Sequence, residues 1–252
     1  MSIVAGLALV GAAGGAYPGM GTTRSAVSPD GKLRYEADAQ HGRTVLGVLR
    51  EGERTRSTTL HGLYGFPLPT NDSREGVSHD GRTLVLAGVG SFGHFAVLDS
   101  RTLHVRRTIA LQGQFSYDAL SPNARTLYLI QHVSPPDRYY VRAYDLSAGR
   151  LLKQIVFDTR EKGVMRGAPV SRVTGPSGRW VYTLYGRSNG TIFVHALDSV
   201  DRHAFCVDLP ARVSSEAMSG LRLKLTGSTL AVRNGTKRIG AIDTKTLRVT
   251  TR

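Results

Sequence analysis

Short apolar runs alternate with turn-forming residues along almost the whole chain. The pattern is clearest in the middle of the sequence, where apolar runs cover residues 115–120, 126–131, 139–144 and 151–157, separated by segments that contain Pro, Asp, Asn or Gly. Runs of this length between turn residues are typical of β-strands. No stretch of useful length has the spacing of an amphipathic helix. This part of the chain therefore predicts four short strands.

A turn sequence close to Ser-Pro-Asp-Gly, which we call the hairpin mark, recurs five times. It begins at Ser28, Ser78, Ser121 and Gly175, and a degraded copy begins at Leu225. A spacing of about 50 residues is that of a repeat that forms one small sheet. Pro suits the second position of a type I turn, and Asp or Asn followed by Gly supplies the bend of a hairpin. Each copy thus predicts the hairpin between the first two strands of a repeat.

A second signature follows the last four hairpin marks. It is an apolar run that ends in Asp99, Asp145, Asp198 or Asp243, and the first repeat has only a weaker run at residues 45–50. Most residues before each Asp are apolar or small, which predicts a strand covered on both faces. We expect these Asp side chains to cap the following turn through backbone hydrogen bonds rather than to take part in catalysis.

Sheets that are apolar on both faces are buried when they stack around an axis. The repeats therefore predict an all-β fold, a β-propeller of about five four-stranded antiparallel blades, in one domain at residues 22–252. In the second repeat we expect strands at residues 74–78, 83–87, 94–99 and 105–111. Each repeat begins with an inner strand and ends with an outer one, so closure of the ring requires no exchange of strands.

The repeats resemble those of WD40- and YVTN-type β-propellers, in which an S-P-D-G hairpin precedes a strand ending in a hydrophobic residue and Asp. No repeat has the Trp-Asp dipeptide or the Gly-His mark of WD40 blades. The chain is also similar to secreted propeller proteins of high-GC bacteria, particularly at residues 115–130 and 179–197. These resemblances imply the propeller architecture and no specific activity.

Residues 1–21 differ in composition from the repeats. Residues 3–16 are apolar and rich in small residues, and residues 11–13 or 14–16 fit a signal-peptidase site. No Lys or Arg precedes Arg24, and the apolar part is short and Gly-rich for a membrane span. We interpret this segment as a signal peptide with a misplaced start codon, or as an N-terminal tail. The expected location of the protein is secreted or extracytoplasmic.

The chain is strongly basic, with 33 Lys and Arg against 19 Asp and Glu and a net charge of +14. The cations are scattered through every repeat, with only short clusters such as residues 101–107. This distribution argues against a dedicated nucleic-acid surface. It favours an unknown protein or an anionic cell-envelope ligand as the partner, with peripheral association at a membrane surface as a further alternative.

Residue types that carry chemistry give no catalytic or metal motif. Cys206 is the only cysteine, which excludes an internal disulfide, and it lies in an apolar run that predicts a buried side chain. The histidines belong to different strands and loops without metal-ligand spacing. No phosphate-binding Gly loop or nucleophile elbow is present. We therefore expect no cofactor and no metal, and we assign no catalytic residue.

The expected binding site is the mouth of the central channel. The longer connections all emerge on one face of a propeller with these turns, and functional loops tend to be long ones on a rigid scaffold. Inner strands add side chains to this rim, and the ligand-binding candidates are Arg74, Glu75, Tyr117, Asp118, Arg166 and Arg222. Such a rim suits an anionic ligand held by bidentate hydrogen bonds. The alternative is that these groups pair with each other between blades.

These features predict a binding or interaction module. The alternative is a propeller hydrolase or lactonase with a carboxylate or metal site in the channel, for which an acid and a base could come from Asp72, Glu75, Asp118, Asp158 and Glu161. An enzyme requires three or more His or carboxylate side chains that converge in the channel. A third alternative is a scaffold whose side surface binds a partner.

Overall fold

The structure, a computed structural model, describes residues 22–67, 73–134, 137–158 and 164–250. The signal peptide expected at residues 1–21 lies outside these ranges. Nearly all regular structure is β-strand, and the described helix is the single turn α1 (Ser215–Met218). No helix in the described ranges is long and apolar enough to cross a bilayer.

The strands form five antiparallel sheets, each hydrogen-bonded in chain order. Blade 1 contains β1 (Thr22–Val27), β2 (Arg34–Gln40), β3 (Arg43–Arg50) and β4 (Glu53–His61). Blade 2 contains β5 (Tyr64–Gly65), β6 (Thr83–Gly88), β7 (His94–Asp99) and β8 (Val105–Ala110). Blade 3 contains β9 (Gln114–Leu120), β10 (Thr126–Val133), β11 (Arg138–Asp145) and β12 (Arg150–Val156), and β13 (Met165–Arg166) also pairs with β11.

Blades 4 and 5 complete the series. Blade 4 contains β14 (Ala168–Thr174), β15 (Trp180–Gly186), β16 (Thr191–Asp198) and β17 (His203–Arg212). Blade 5 contains β18 (Leu221–Thr226), β19 (Thr229–Asn234), β20 (Lys237–Asp243) and β21 (Arg248–Thr250). This architecture confirms the predicted all-β propeller of five four-stranded blades.

Apolar clusters join each blade to the next. The clusters include Tyr35 and Phe66 between blades 1 and 2, Phe95 and Leu129 between blades 2 and 3, Tyr128 and Tyr185 between blades 3 and 4, and Leu184 and Leu230 between blades 4 and 5. Burying one such side chain contributes about 1.5–3 kcal/mol. Among the described residues, no apolar cluster joins blade 5 to blade 1. We call the boundary between blade 5 and blade 1 the seam.

The hairpin marks form the predicted turns. In the first mark, Ser28 donates a hydrogen bond to Asp30 at 2.6 Å and accepts one from the backbone N–H of Leu33 at 2.9 Å. Marks two and three repeat both bonds through Ser78 and Ser121. One serine hydroxyl thus connects the Asp or Asn of the turn to the start of the second strand. The same local chemistry builds the same hairpin in three blades.

The Asp residues at the strand ends cap the turns that follow them, as predicted. The Oδ1 atom of Asp99 accepts backbone hydrogen bonds from Arg101 at 2.8 Å and from Thr102 at 2.9 Å. The residues two and three positions later donate in the same way, at 2.8–3.0 Å, to Asp145, Asp198 and Asp243. The four side chains therefore have one structural role in four blades.

The inner strand of blade 2 differs from the prediction. A strand was expected at residues 74–78, but β5 is Tyr64–Gly65, and only Val77 forms an isolated bridge, with Leu84. The reason is Gly76, whose φ of +85° interrupts an extended strand. Its carbonyl accepts a hydrogen bond from the Val85 N–H at 2.7 Å, so the segment still follows the sheet. The other three strands of this blade lie within one residue of the expected bounds.

The strand-end carboxylates predict how acid affects stability. The N–H of the residue three positions later holds the pKa of Asp99, Asp145 and Asp243 below the ordinary value, and lowers that of Asp99 to about 2. Below about pH 4 the unfolded chain therefore binds more protons than the folded protein. The stability that these groups contribute is present above about pH 4 and is lost as the pH falls towards about 2.

An Asp99→Asn variant tests this dependence, because it keeps the accepting oxygen but removes the titrating charge. We expect its melting temperature to fall less than that of the wild type between about pH 4 and pH 2. Circular dichroism melts across this range measure the difference. Parallel pH profiles for the two proteins would contradict the prediction.

Candidate functional site

A cavity of about 350 Å³ lies where the five blades converge. Residues at or next to all five hairpin marks line it, among them Pro29, His79, Leu120, Pro176 and Gly227. The cavity is therefore built from the tight turns at one end of the ring. Its volume lies within the range of about 300–1,000 Å³ that is usual for small-molecule sites.

The cavity wall combines apolar and polar side chains. Val77, Val173 and Leu225 supply apolar surface, and Arg74 and Tyr117 supply polar groups. The Arg74 side chain is exposed and forms no hydrogen bond or ion pair with any residue that the structure describes. Among the described residues, nothing therefore pairs with the Arg74 charge at the cavity wall.

Behind this wall, Arg172 on β14 holds two carboxylates from other blades. Its Nη2 atom lies 2.8 Å from Oδ1 of Asp118, and its Nη1 atom lies 3.8 Å from Oε2 of Glu75. The Nε–H donates to the Thr183 hydroxyl at 3.0 Å. The Arg172 side chain is only 4% exposed. One guanidinium thus joins blades 2, 3 and 4 across the channel.

Glu75 lines the cavity and is buried. The Thr174 hydroxyl donates to Oε1 of Glu75 at 3.4 Å. Burial raises the pKa of Glu75, the Arg172 charge opposes this rise, and the Asp118 charge adds to it. Burial likewise raises the pKa of Tyr117 well above its ordinary value. Burial at the cavity floor therefore works against the charged forms of both side chains, and the Arg172 cation counteracts this effect.

His195 extends this polar region into the interior between blades 3 and 4. It lies on β16 opposite Thr183 and Cys206, and is fully buried. Neither ring nitrogen has a hydrogen-bond partner among the described residues, and Oδ2 of Asp118 has none either. Burial lowers the pKa of His195, so the ring is neutral at pH 7.

The structure brings four of the six predicted ligand-binding residues together. Arg74, Glu75 and Tyr117 line the cavity, and Asp118 binds Arg172 directly behind it. They lie near the hairpin turns and not among the long loops, which corrects the expected end of the channel. Glu75 and Asp118 each lie three residues before a hairpin mark, so the sequence spacing already places them near the turn end of the inner strand.

The other two predicted residues lie elsewhere. Arg166 is exposed on β13, opposite Arg138 of β11. Arg222 is exposed near the start of β18, where Leu221 and Leu223 pack towards blade 4. Since successive side chains of a strand alternate between its faces, Arg222 points away from that cluster. Neither residue lines the cavity.

The sequence interpretation missed Arg172 and His195. A signal for Arg172 was present, because it lies three residues before its hairpin mark, at the same offset as Glu75 and Asp118. No comparable signal exists for His195, whose neighbourhood depends on the pairing of β15, β16 and β17. Of the five carboxylates considered for a hydrolase, Asp72 and Glu161 lie outside the described residues. Asp158 is buried and accepts a hydrogen bond from the Cys206 N–H at 2.7 Å.

One group of potential metal ligands occurs in the described ranges: Asp198, Asp201 and His203, whose ligand atoms lie within 4.8 Å of one another. Arg179 already occupies this place. Its guanidinium lies 2.6 Å from Oδ2 of Asp198 and also binds Asp201. Arg179 thus offsets one of the two carboxylate charges of the group.

Comparison with known proteins identifies the fold. No protein-family model and no curated protein matches the sequence. Among solved structures, hydrazine synthase of Kuenenia stuttgartiensis is similar at 18% identity and a TM-score of 0.56, over 90% of this chain and 67% of that one. TolB from Acinetobacter baumannii is similar at 14% identity and a TM-score of 0.51, over 89% of this chain and 52% of that one.

A third similar structure is the β-propeller domain of Cps50 (Swd1) from Myceliophteria thermophila. It shares 13% identity and a TM-score of 0.54, over 91% of this chain and 68% of that one. This chain thus spans about half of the TolB structure and about two thirds of the other two. At these identities the similarity establishes the β-propeller fold and not an activity.

The Arg172 contacts predict a large loss of stability when the cation is removed. An Arg172→Met variant leaves Glu75 and Asp118 buried without their partner. Breaking a buried ion pair on one side costs about 3–5 kcal/mol, and we expect a loss of this size in urea unfolding at pH 7. Adding Asp118→Asn should recover part of it, because one uncompensated charge is removed.

The control for this experiment is Arg166→Met, an exposed substitution that should change the free energy of unfolding by less than about 0.5 kcal/mol. If Arg172→Met were no more destabilising than this control, Arg172 would not be the link between blades 2, 3 and 4.

His195 predicts a second pH dependence at higher pH. Its pKa is lowered in the folded protein, and the groups that influence it are Asp118, Arg172 and Asp158. Below about pH 6.5 the unfolded chain therefore takes up a proton that the folded protein resists, and stability falls as the pH falls. We expect a His195→Leu variant to lose this part of the dependence between about pH 6.5 and pH 5. Urea unfolding at these two pH values measures it, and an unchanged difference would contradict the prediction.

Proposed function

We propose that the protein is an exported binding module whose ligand occupies the central cavity and is anionic or derived from the cell envelope. The observation that carries this proposal is that Arg74 lines a cavity shared by all five blades and that its guanidinium has no partner among the described residues. A guanidinium offers a planar set of donors that suits carboxylate and phosphate groups.

The other cavity residues support an anionic ligand. The Nη1 atom of Arg172 lies 3.8 Å from Oε2 of Glu75 and offsets part of the negative charge that an anion would meet at the floor. Val77, Val173 and Leu225 offer apolar contacts to the rest of the ligand. Binding sites commonly combine a few placed polar groups with an apolar lining. The apolar composition of residues 3–16 supports export.

The geometry favours binding over the hydrolase alternative. An acid and a base must both reach a substrate. Here Glu75 lines the cavity, but Asp118 and His195 are buried behind it, and Arg172 binds both carboxylates. Only one titratable carboxyl of this cluster therefore faces the cavity.

Arg74→Gln tests the proposal, with Arg166→Gln as the matched control, because each removes one exposed Arg charge and only Arg74 lines the cavity. Thermal-shift and calorimetric titrations would use inorganic phosphate, citrate, glycerol 3-phosphate and glucose 6-phosphate. We expect at least one of these anions to bind the wild type. Hydrogen bonds to charged groups contribute about 1.5–3 kcal/mol, so Arg74→Gln should weaken that binding at least tenfold.

The control variant should bind as the wild type does. Binding of none of the four anions would contradict an anionic ligand, and equal losses in both variants would show that the cavity is not the site.

A further inference from the structure

The face of blade 5 that points away from blade 4, which we call the outer face, carries a basic surface that is separate from the cavity. Leu221, Leu223 and Leu225 of β18 pack in the cluster shared with blade 4. Arg222 and Lys224 lie between them, are exposed, and point to the opposite face. This face belongs to the seam, where no apolar cluster of described residues covers the sheet.

The pairing of the strands places three arginines directly opposite one another. Arg222 on β18 is paired with Arg233 on β19, and Arg233 is paired with Arg238 on β20. Neighbouring strands lie about 4.8 Å apart, so the row extends over about 10 Å. Like charges in directly opposite positions destabilise a sheet. The row of three arginines therefore adds no stability to the sheet by itself. A bound anion would offset the repulsion between their charges.

The described residues provide no carboxylate partner for the row. None of the three arginines forms an ion pair with them. The Nη1 atom of Arg222 donates to the carbonyl oxygens of Ser219 at 2.7 Å and Leu221 at 2.8 Å, and Arg233 donates to the Thr236 carbonyl. These bonds orient two guanidinium groups without neutralising them.

We propose that Arg222, Arg233 and Arg238 form a binding site for a linear phosphate-bearing polyanion on the outer face of blade 5. Guanidinium groups bind phosphate oxygens through paired hydrogen bonds. A row about 10 Å long contacts successive phosphates of an extended chain, whereas a single phosphate ion reaches only part of it. Lys224 lies on the same face, two residues further along β18, and adds one cation beside the row.

The test compares two triple variants of equal charge. The first is Arg222→Gln, Arg233→Gln and Arg238→Gln. The control is Arg125→Gln, Arg150→Gln and Lys153→Gln, which removes three exposed cations from blade 3. Binding of fluorescent inorganic polyphosphate would be measured by polarisation at several salt concentrations. Removing a phosphate contact lowers the slope of log affinity against log salt by about one, so the row variant should lose about two to three units of slope.

The control variant should keep a slope close to that of the wild type. Equal losses in the two variants would attribute binding to the total charge of +14 and overturn the proposal. Binding to phosphatidylglycerol vesicles without binding to polyphosphate would also overturn it, because the surface would then recognise a membrane. The melting temperature of the row variant should equal or exceed that of the wild type, since repulsion between like charges is removed.

Discussion

The fold depends on the burial of both faces of each central sheet. In β16 the seven residues from Ile192 to Asp198 are all buried, whichever face they occupy. A sheet of this kind must be covered on both sides, and stacking against two similar sheets provides the cover. The apolar clusters follow this rule from blade 1 to blade 5. Turn chemistry sets the length of each blade, but the double burial makes the blades stack.

Stacking around an axis also forces the inner strands together, and any charge there must be paired. Arg172 meets this requirement for Glu75 and Asp118, which belong to two other blades. Removing three charged groups from water is costly, so the cluster adds little net stability relative to apolar residues of the same shape. Its consequence is a specific arrangement of blades 2, 3 and 4, since other arrangements leave a buried charge without its partner. The cavity inherits its polar floor from this arrangement.

Local chemistry made much of the architecture predictable from sequence. Hairpin marks and strand-end Asp residues act within a few positions of the chain, so their roles at Ser28 or Asp99 follow from short segments. The site was less predictable, because Arg172 and Glu75 are almost two repeats apart and meet only across the axis. The face on which Arg222 lies depends on the pairing of β18 with its neighbour. A slip of this pairing by one residue would exchange the faces of Arg222 and Leu223. Gly76 shortened an inner strand for a reason visible only when its positive φ is known.

The two end blades explain why the seam differs from the other blade interfaces. In β2 the side chains of Tyr35 and Ala37 are buried, while Arg34 and Glu36 lie on the alternate face and are half-exposed. Blade 5 shows the same division in β18, with its cations on the alternate face. Blade 1 is thus apolar on the face towards blade 2, and blade 5 on the face towards blade 4, while the opposite face of each is polar. Stability then depends mainly on four apolar contacts between neighbours, as in a linear array of repeats. The polar faces gain little from burial, and for that reason they can carry charges without the ion-pair partners that buried charges between blades 2, 3 and 4 require.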